Sequence, residues 1–315
     1  SEGKGRAKER KKSMNKFTIR QSLLLLLTAT IWGTAFVAQS TGMEYIGPFT
    51  MNATRCLLGG LVLLPVIFLM NRKKMVGDEA EKTEPTKNNK TLYVGGILCG
   101  ILLCIASNLQ QIGIKYTTVG KAGFITALYI IMVPILGIFA HKKVGVKIWI
   151  GVVLAVAGLY LLCMKEGFAL TMGDSYVLAC ALFFSFHILV VDYFSPKVDG
   201  VKLSCIQFFT CSILSGIGMV IWEQPQIAQI LEAWLPICYA GILSCGVGYT
   251  LQIVGQKGMN PTVASLIMSL ESVVAAIAGF LLLGQTMSGR ELAGCILMFG
   301  AIILAQLPEK KSRSV

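Results

Sequence analysis

The sequence predicts an all-α integral membrane protein, with ten transmembrane helices arranged as two inverted five-helix repeats. Three observations carry this prediction: an apolar composition, ten long hydrophobic segments, and a match between the two halves of the chain. Of the 315 residues, 55% are hydrophobic and 14% are charged, and the mean hydropathy is +0.70. Soluble domains are about 25% charged, so this composition excludes an ordinary water-soluble fold.

Ten segments are long enough to cross a bilayer, which takes about 20 mostly apolar residues in a helix. They lie at residues 21–40, 48–70, 92–114, 119–140, 146–164, 174–193, 202–222, 233–255, 261–284 and 291–307. Backbone groups in lipid must be hydrogen-bonded within the protein, so we interpret these segments as helices in spite of their many glycines. The long connection at 71–90 is charged and contains Pro85, which is typical of a solvated loop.

The distribution of basic residues predicts the orientation in the membrane. The formal net charge is +12, and most of the basic residues lie in the N-terminal tail, in the long loop and at the C-terminal end. Placing the N-terminus in the cytoplasm puts all three clusters on the inner side, so both termini are predicted to be cytoplasmic in a plasma (inner) membrane. Because these residues follow the topology, no nucleic-acid partner is expected.

The two halves of the chain match each other at constant spacings. Gln110, Ala122, Leu128, Gly137 and Gly158 correspond to Gln252, Ala264, Leu270, Gly279 and Gly300, and Trp32, Asn52, Arg55 and Gly59 correspond to Phe184, Ser204, Gln207 and Cys211. Five is an odd number of helices, so the second copy must enter the membrane upside down. Chance similarity between apolar segments is the alternative.

The predicted organisation is a basic cytoplasmic tail at 1–20, a first repeat at 21–164, a second repeat at 174–307 and a cytoplasmic tail at 308–315. Met14 looks like a natural start, so the residues before it are left out of the fold prediction.

Neither a metal site nor a cofactor is predicted. All ten cysteines lie in apolar segments without a Cys-x-x-Cys pair, so they are expected to pack between helices. The sequence has no His-x-x-x-His pair and no Gly-x-x-x-x-Gly-Lys motif, which argues against a membrane enzyme and against an ATP-driven pump. A channel or receptor stays open as a further class.

Several motifs resemble the EamA-type branch of the drug/metabolite transporter superfamily. They are the pair Trp32-Gly33, Arg55 in the second helix, the helix from Ala122 to Pro134, and the run from Ala264 to Val273. The resemblance covers residues 20–307 in two EamA-like units and implies a carrier whose cavity is lined by helices one to four and six to nine. Family members usually have a proline after the Leu-Glu pair, where this chain has Ser272, so a kink at this helix is left open.

Glu271 is the sharpest candidate for a functional residue. It lies about ten residues into the ninth helix, close to the bilayer midplane. Because burial disfavours the charged form of a carboxyl group, Glu271 could carry a proton and couple transport to a gradient. The alternative is a glutamate that fixes packing by bonding to a neighbouring helix.

Arg55 could hold an anionic group of a substrate, because its guanidinium offers a planar pair of donors to a carboxylate. The alternatives are an internal ion pair, with Glu44 or Glu271, and an extension of the side chain to the membrane surface.

Further polar and aromatic residues are weaker candidates, since each has a packing role as its alternative. Interhelical hydrogen bonds would explain the amides and Tyr249 equally well, and aromatic side chains at helical spacing commonly pack together. A buried histidine could relay protons or simply pack. These candidates are Trp32, Asn108, Gln111, Tyr129, His187, Tyr249 and Gln252.

These features predict a secondary transporter of a small polar metabolite, with an amino-acid exporter driven by protons or exchange as the leading hypothesis. Uptake, or a sugar or nucleotide-type cargo, fits the residues nearly as well. The expected partners are the lipid bilayer and a small-molecule substrate. The fifth and tenth helices carry almost no polar residues, which suggests packing or a homodimer contact.

Overall fold

The structure, a computed structural model, describes residues 2–76, 89–116, 119–139, 144–163, 171–275, 277 and 288–306. Most of the residues in these parts are helical. The helices are α1 (Glu2–Gly42), α2 (Pro48–Val76), α3 (Asn89–Tyr116), α4 (Val119–Ala127), α5 (Tyr129–Phe139), α6 (Val146–Cys163), α7 (Met172–Phe194), α8 (Gly200–Gly218), α9 (Ile227–Glu232), α10 (Trp234–Cys238), α11 (Thr250–Gln256), α12 (Pro261–Met268), α13 (271–275) and α14 (Gly289–Gln306). Two π-helical segments, Met219–Glu223 and Tyr239–Tyr249, continue α8 and join α10 to α11.

All ten predicted segments coincide with helical parts of the chain. Within the described residues, seven helical stretches are long and apolar enough to cross a membrane, and two shorter apolar helices, Val146–Leu161 and Pro261–Ala275, belong to the fifth and ninth segments. The tenth segment is α14. The fourth segment is formed by α4 and α5, and the eighth by α10, a π segment and α11. The all-α, ten-helix prediction is therefore confirmed.

Some boundaries differ from the prediction. The first helix extends from Glu2 to Gly42 rather than from 21 to 40, and the short helix α9 was not predicted. The loop residues 77–88, the end of the ninth segment after residue 277 and the C-terminal tail 308–315 lie outside the described residues.

Large apolar side chains cover the outside of the bundle. Phe68 on α2, Val153 on α6 and Ile296 on α14 are each exposed over about 65% of their surface. A soluble protein rarely exposes apolar patches on this scale, whereas a membrane protein presents them to lipid. The exposed apolar side chains therefore agree with the membrane protein that the composition predicts.

The helices contact one another in a pattern that repeats between the two halves. The contact of α3 with α7 corresponds to that of α11 with α1. In the same way, the contacts of α4 and α5 with α7 correspond to the contact of α12 with α1. Two further contacts pair a helix with its own counterpart, α2 with α8 and α6 with α14, and α5 of the fourth span packs against α12 of the ninth. This is the approximate twofold symmetry that two copies of one five-helix unit produce. Since each copy has an odd number of spans, the copies are inverted.

Two equivalent glycines bring neighbouring helices close together. Gly113 on α3 lies against Val177 on α7, and Gly255 on α11 lies against Leu25 on α1. A methyl group at Gly255 would lie 3.0 Å from Leu25 Cδ2, whereas one at Gly113 would overlap Val177 Cγ2 and lie 3.0 Å from the carbonyl oxygen of Gly173. Small residues at helix contacts allow this approach in membranes.

The fourth and ninth spans both break in the middle, at equivalent positions. The chain makes a turn at Leu128 between α4 and α5, and at Ser269 and Leu270 between α12 and α13. In the ninth span the Ser269 hydroxyl donates to the carbonyl of Leu266 at 2.8 Å, and the amide of Leu270 donates to that of Ile267 at 3.2 Å. The helix therefore breaks although Ser272 replaces the proline that the family usually has.

Candidate functional site

A cavity of about 480 Å³ lies between the two halves of the chain. This volume is all the atom-free space of the pocket and includes its open side. Its lining residues are Trp32, Phe36, Gln39, Arg55, Gln110, Thr126, Tyr129, Phe184, Ile188, Ser244, Tyr249, Gln252, Met268 and Glu271. They come from the first four spans and from the sixth, eighth and ninth; α6 and α14 contribute none of the described lining residues.

The helix break in the ninth span positions Glu271. The residue begins α13 directly after the turn, and its side chain is 4% exposed. Its counterpart in the first half, Tyr129, begins α5 after the equivalent turn. The Tyr129 hydroxyl donates a hydrogen bond to Glu271 Oε1 at 3.2 Å. Each break thus presents its first residue to the cavity, and the two residues meet there.

Arg55 reaches the cavity from the second span. The side chain is 2% exposed, and its Nε atom has no hydrogen-bond partner in the described part of the chain. Within that part, Arg55 makes no ion pair with Glu44 or Glu271, so neither of the internal pairs considered from the sequence forms. The guanidinium lies near the side chains of Tyr249, Cys56 and Cys245. A buried cation without a carboxylate partner is costly, which suggests a ligand.

Aromatic side chains form one wall of the cavity. The rings of Trp32 and Tyr249 lie 4.6 Å apart at 53°, and the indole Nε1 of Trp32 donates to the carbonyl of Ser244 at 3.4 Å. Phe208 also packs against Tyr249, with ring centroids 5.9 Å apart. These contacts hold Trp32 and Tyr249 in fixed positions, so they can pack against an apolar part of a ligand.

Two amides add unpaired acceptors to the cavity wall. Gln39 Oε1 and Gln252 Oε1 are buried without a partner in the described part of the chain. Gln110 is paired, since its Nε2 donates to the hydroxyl of Thr126 at 3.3 Å. The cavity therefore offers an unpaired cationic donor on Arg55, a carboxylate and two amide oxygens.

Most of the cavity is built from equivalent positions of the two halves. Five pairs, at the spacings found in the sequence, supply ten of its lining residues: Trp32 with Phe184, Phe36 with Ile188, Gln110 with Gln252, Thr126 with Met268, and Tyr129 with Glu271. The cavity therefore lies on the approximate twofold axis. Arg55 has no such partner in the lining, because its counterpart Gln207 instead bonds to a histidine.

Three candidates from the sequence lie outside the cavity lining. Asn108 Nδ2 donates to Ser215 Oγ at 2.9 Å, and Gln111 Nε2 donates to the carbonyl of Gln39 at 3.3 Å. His187 Nε2 lies 3.0 Å from Gln207 Oε1. Their hydrogen bonds join helices, in keeping with the packing alternative that the sequence left open for each of them.

The other six candidates, Trp32, Arg55, Tyr129, Tyr249, Gln252 and Glu271, all line the cavity. Sequence reasoning missed several lining residues as site residues, including Gln110 and Phe184. The repeat could have found both, because they are the counterparts of Gln252 and Trp32. Ser244 has no such signal, since its π-helical backbone is not visible in the sequence.

Comparison with known proteins identifies relatives over almost the whole chain. The model of the EamA-like transporter family matches twice, at residues 20–164 and 171–307. An uncharacterized transporter of Archaeoglobus fulgidus is 27% identical over 284 residues, covering 90% of this chain and 84% of its own length. The uncharacterized inner membrane transporter YedA of Escherichia coli is 22% identical and covers 87% of each chain.

A solved crystal structure shares the fold. It superposes with a TM-score of 0.73 at 17% identity, covering 91% of this chain and 96% of its own. At this identity the likeness concerns the fold and says nothing about the cargo. The family matches cover both repeats, so the chain belongs to the EamA-like transporter family, within the drug/metabolite transporter superfamily, and is a multi-pass membrane transporter.

Proposed function

We propose that the protein is a secondary transporter that exports a small polar metabolite bearing a carboxylate, such as an amino acid, in exchange for protons. One observation carries this proposal: Arg55 and Glu271, both buried and not paired with each other, line one cavity on the axis between the two halves. A cargo with one anionic and one cationic group would satisfy both side chains.

Arg55 is proposed to bind the carboxylate of the cargo. Its Nε has no hydrogen-bond partner among the described residues, and an arginine can hold a carboxylate through two parallel hydrogen bonds. The aromatic wall around Trp32 and Tyr249 would then contact the apolar part of the cargo. Binding is therefore expected to require a carboxylate and to tolerate variation in the rest of the molecule.

Glu271 is proposed to couple the cargo to protons. Its carboxyl group can hold either a proton or the ammonium group of the cargo, but not both. A site that must exchange one for the other moves them in opposite directions, so an inward proton gradient would drive the cargo outward. Tyr129 keeps the carboxyl group in the cavity in either state, since a hydroxyl can donate or accept.

The inverted halves supply the movement. Two copies related by an axis in the membrane plane can adopt each other's conformations, which opens a central site alternately to the two faces. The cavity lies on that axis, as a site shared by both conformations requires.

Counterflow in proteoliposomes tests the proposal. Purified protein is reconstituted with unlabelled amino acids, sugars or nucleotide precursors inside, and entry of the labelled compound is measured. We expect stimulation by a carboxylate-bearing cargo on the far side, since a channel shows no such exchange. Stimulation by sugars or nucleotide-type compounds, but not by amino acids, would overturn the proposed substrate class. Uphill accumulation of cargo that moves in the same direction as protons would overturn the proposed direction of transport.

Substitution Glu271→Gln tests the coupling. The amide keeps the size of the side chain and can still accept from Tyr129, so expression and folding should persist. Exchange of cargo should continue, whereas its dependence on pH and its accumulation against a gradient should be lost. An unchanged pH dependence would remove Glu271 from the mechanism.

A further inference from the structure

The outer ends of α2 and α8 are joined by a carboxylate that crosses between the two halves. Glu223, at the end of the π segment that continues α8, accepts hydrogen bonds from the backbone amides of Phe49 and Thr50 at 2.8 and 2.7 Å. The Thr50 hydroxyl also donates to it at 2.6 Å. These amides are the second and third of α2, which are orphaned in an isolated helix. A carboxylate there also interacts favourably with the helix dipole.

The start of α8, which is equivalent to the start of α2, is capped in a different way. Asp199, its own N-cap residue, accepts from the amides of Val201 and Lys202 at 3.0 and 3.1 Å. These two amides correspond to those of Phe49 and Thr50, and Asp199 corresponds to Gly47. Each half thus has the same two amides to satisfy. The second half satisfies them locally, and the first half depends on a carboxylate from the opposite half.

Gly47 is what makes room for this contact. A methyl group at this position would fall on the Glu223 carboxylate. An aspartate at 47 would also compete for the same two amides, as Asp199 does in the other half. The residue of the first half that is equivalent to Glu223 is Asn71, in the C-terminal part of α2, and it is exposed. Asn71 has no carboxylate, so this bridge between α2 and α8 is made at one face of the membrane.

Packing around Glu223 adds further contacts between the same ends of α2 and α8. The ring of Phe49 lies 5.2 Å from that of Trp222 and directly on the backbone of Gly218. Immediately after Glu223 the chain turns through Gln224 with φ 44°, a left-handed conformation that side chains other than glycine seldom adopt. Surrounding contacts must hold this turn in place. Glu223 is therefore presented to α2 from a defined backbone position.

We propose that Glu223 is the latch of the outer gate: its hydrogen bonds to α2 hold the cavity shut on the face that we predict to be outside. Thr50 precedes Arg55 by five residues, or about 7.5 Å along the helix, so separating α2 from α8 at the latch would uncover Arg55 to that face. Glu223 is a positioning residue, because it contacts α2 and does not line the cavity. This inference rests on the proposed function for its transport readout.

Two substitutions break the latch from opposite sides, and each has a matched control. Glu223→Gln removes the charge, and Gly47→Ala displaces the carboxylate without altering it. The control for the first is Glu232→Gln, a carboxylate in the exposed helix α9. The control for the second is Gly216→Ala on α8, where a methyl group would meet no atom within 4 Å.

Hydrogen–deuterium exchange of the purified full-length protein gives the first readout. Both latch variants should exchange faster at residues 46–52, and the change should spread along the facing parts of α2 and α8 as the gate opens. The controls should match the parent protein. Exchange confined to the amides of Phe49 and Thr50, or unchanged exchange in both variants, would overturn the latch. This result needs no transport, so a failure of the proposed function is distinguished from a failure of the latch.

Transport measured separately from each face gives the second readout. A latch that favours the outward-closed state weakens the apparent affinity for cargo on the outer face. Its loss should therefore lower the half-saturating cargo concentration on the outer face about tenfold relative to the inner face. A general loss of stability would change both faces alike. Faster exchange with an unchanged ratio between the faces would overturn the latch and leave the transporter assignment intact.

Discussion

The two halves of the cavity have the same shape but different chemistry. In the first half the span breaks at Leu128 and presents Tyr129; in the second it breaks at Leu270 and presents Glu271. Arg55 in the first half corresponds to Gln207, which bonds to His187 instead of lining the cavity. The two halves thus share a backbone frame, and their different side chains place one cation and one carboxylate in it.

This difference separates two tasks. Alternation between two faces requires that the halves be equivalent in backbone and packing. The contacts between helices are equivalent in the two halves. Selection of a cargo requires the opposite, because a site with identical chemistry on both sides of the axis cannot distinguish the two ends of a molecule. Changes to the chemistry of the cavity should therefore affect transport more than changes to the packing of the helices.

Arg55→Gln should have the largest effect, because it gives the first half the residue of the second. Hydrogen bonds to a charged group contribute about 1.5 to 3 kcal/mol each, so counterflow of a carboxylate cargo should fall about a hundredfold. The neutral amide of the same cargo, measured in parallel, should lose far less. Equal losses for the acid and its amide would refute the assignment of Arg55.

Exchanging Tyr129 and Glu271 should have an intermediate effect. Glu271→Tyr and Tyr129→Glu each remove one member of the hydrogen-bonded pair, and each should lower net accumulation of cargo about tenfold or more. The double variant restores the pair across the axis and should recover part of the activity. If the double variant lost as much net accumulation of cargo as the two single variants together, the two positions would not be interchangeable.

Gly113→Ala and Gly255→Ala should have the smallest effects on transport and a measurable effect on stability. The added methyl at Gly113 meets a β-branched side chain and a backbone carbonyl, whereas at Gly255 it meets the end of Leu25. Overpacking costs about 1 to 3 kcal/mol, so Gly113→Ala should lower the Tm in detergent by several degrees, and Gly255→Ala by less. The reverse order would show that α1 and α11 pack more rigidly than α3 and α7.

The sequence was sufficient to predict the spans and to select Arg55 and Glu271 as candidates, and both residues line the cavity. Arg55 and Glu271 stand out because a charge inside an apolar helix is costly and must face protein or water. The same reasoning could not separate Gln252, which lines the cavity, from Gln111, which bonds to Gln39. Both are amides on helical faces, and the face that meets the cavity depends on how neighbouring helices are rotated.

The sequence by itself determined that this chain spans a membrane with ten helices in two inverted copies, because hydrophobic length, charge placement and the internal match are properties of local composition. Tertiary structure decided that the spans break at Leu128 and Leu270, that Tyr129 meets Glu271, and that Glu223 rather than a local residue satisfies the start of α2. These contacts join residues far apart in the chain. They depend on the packing of whole helices, and no local pattern records that packing.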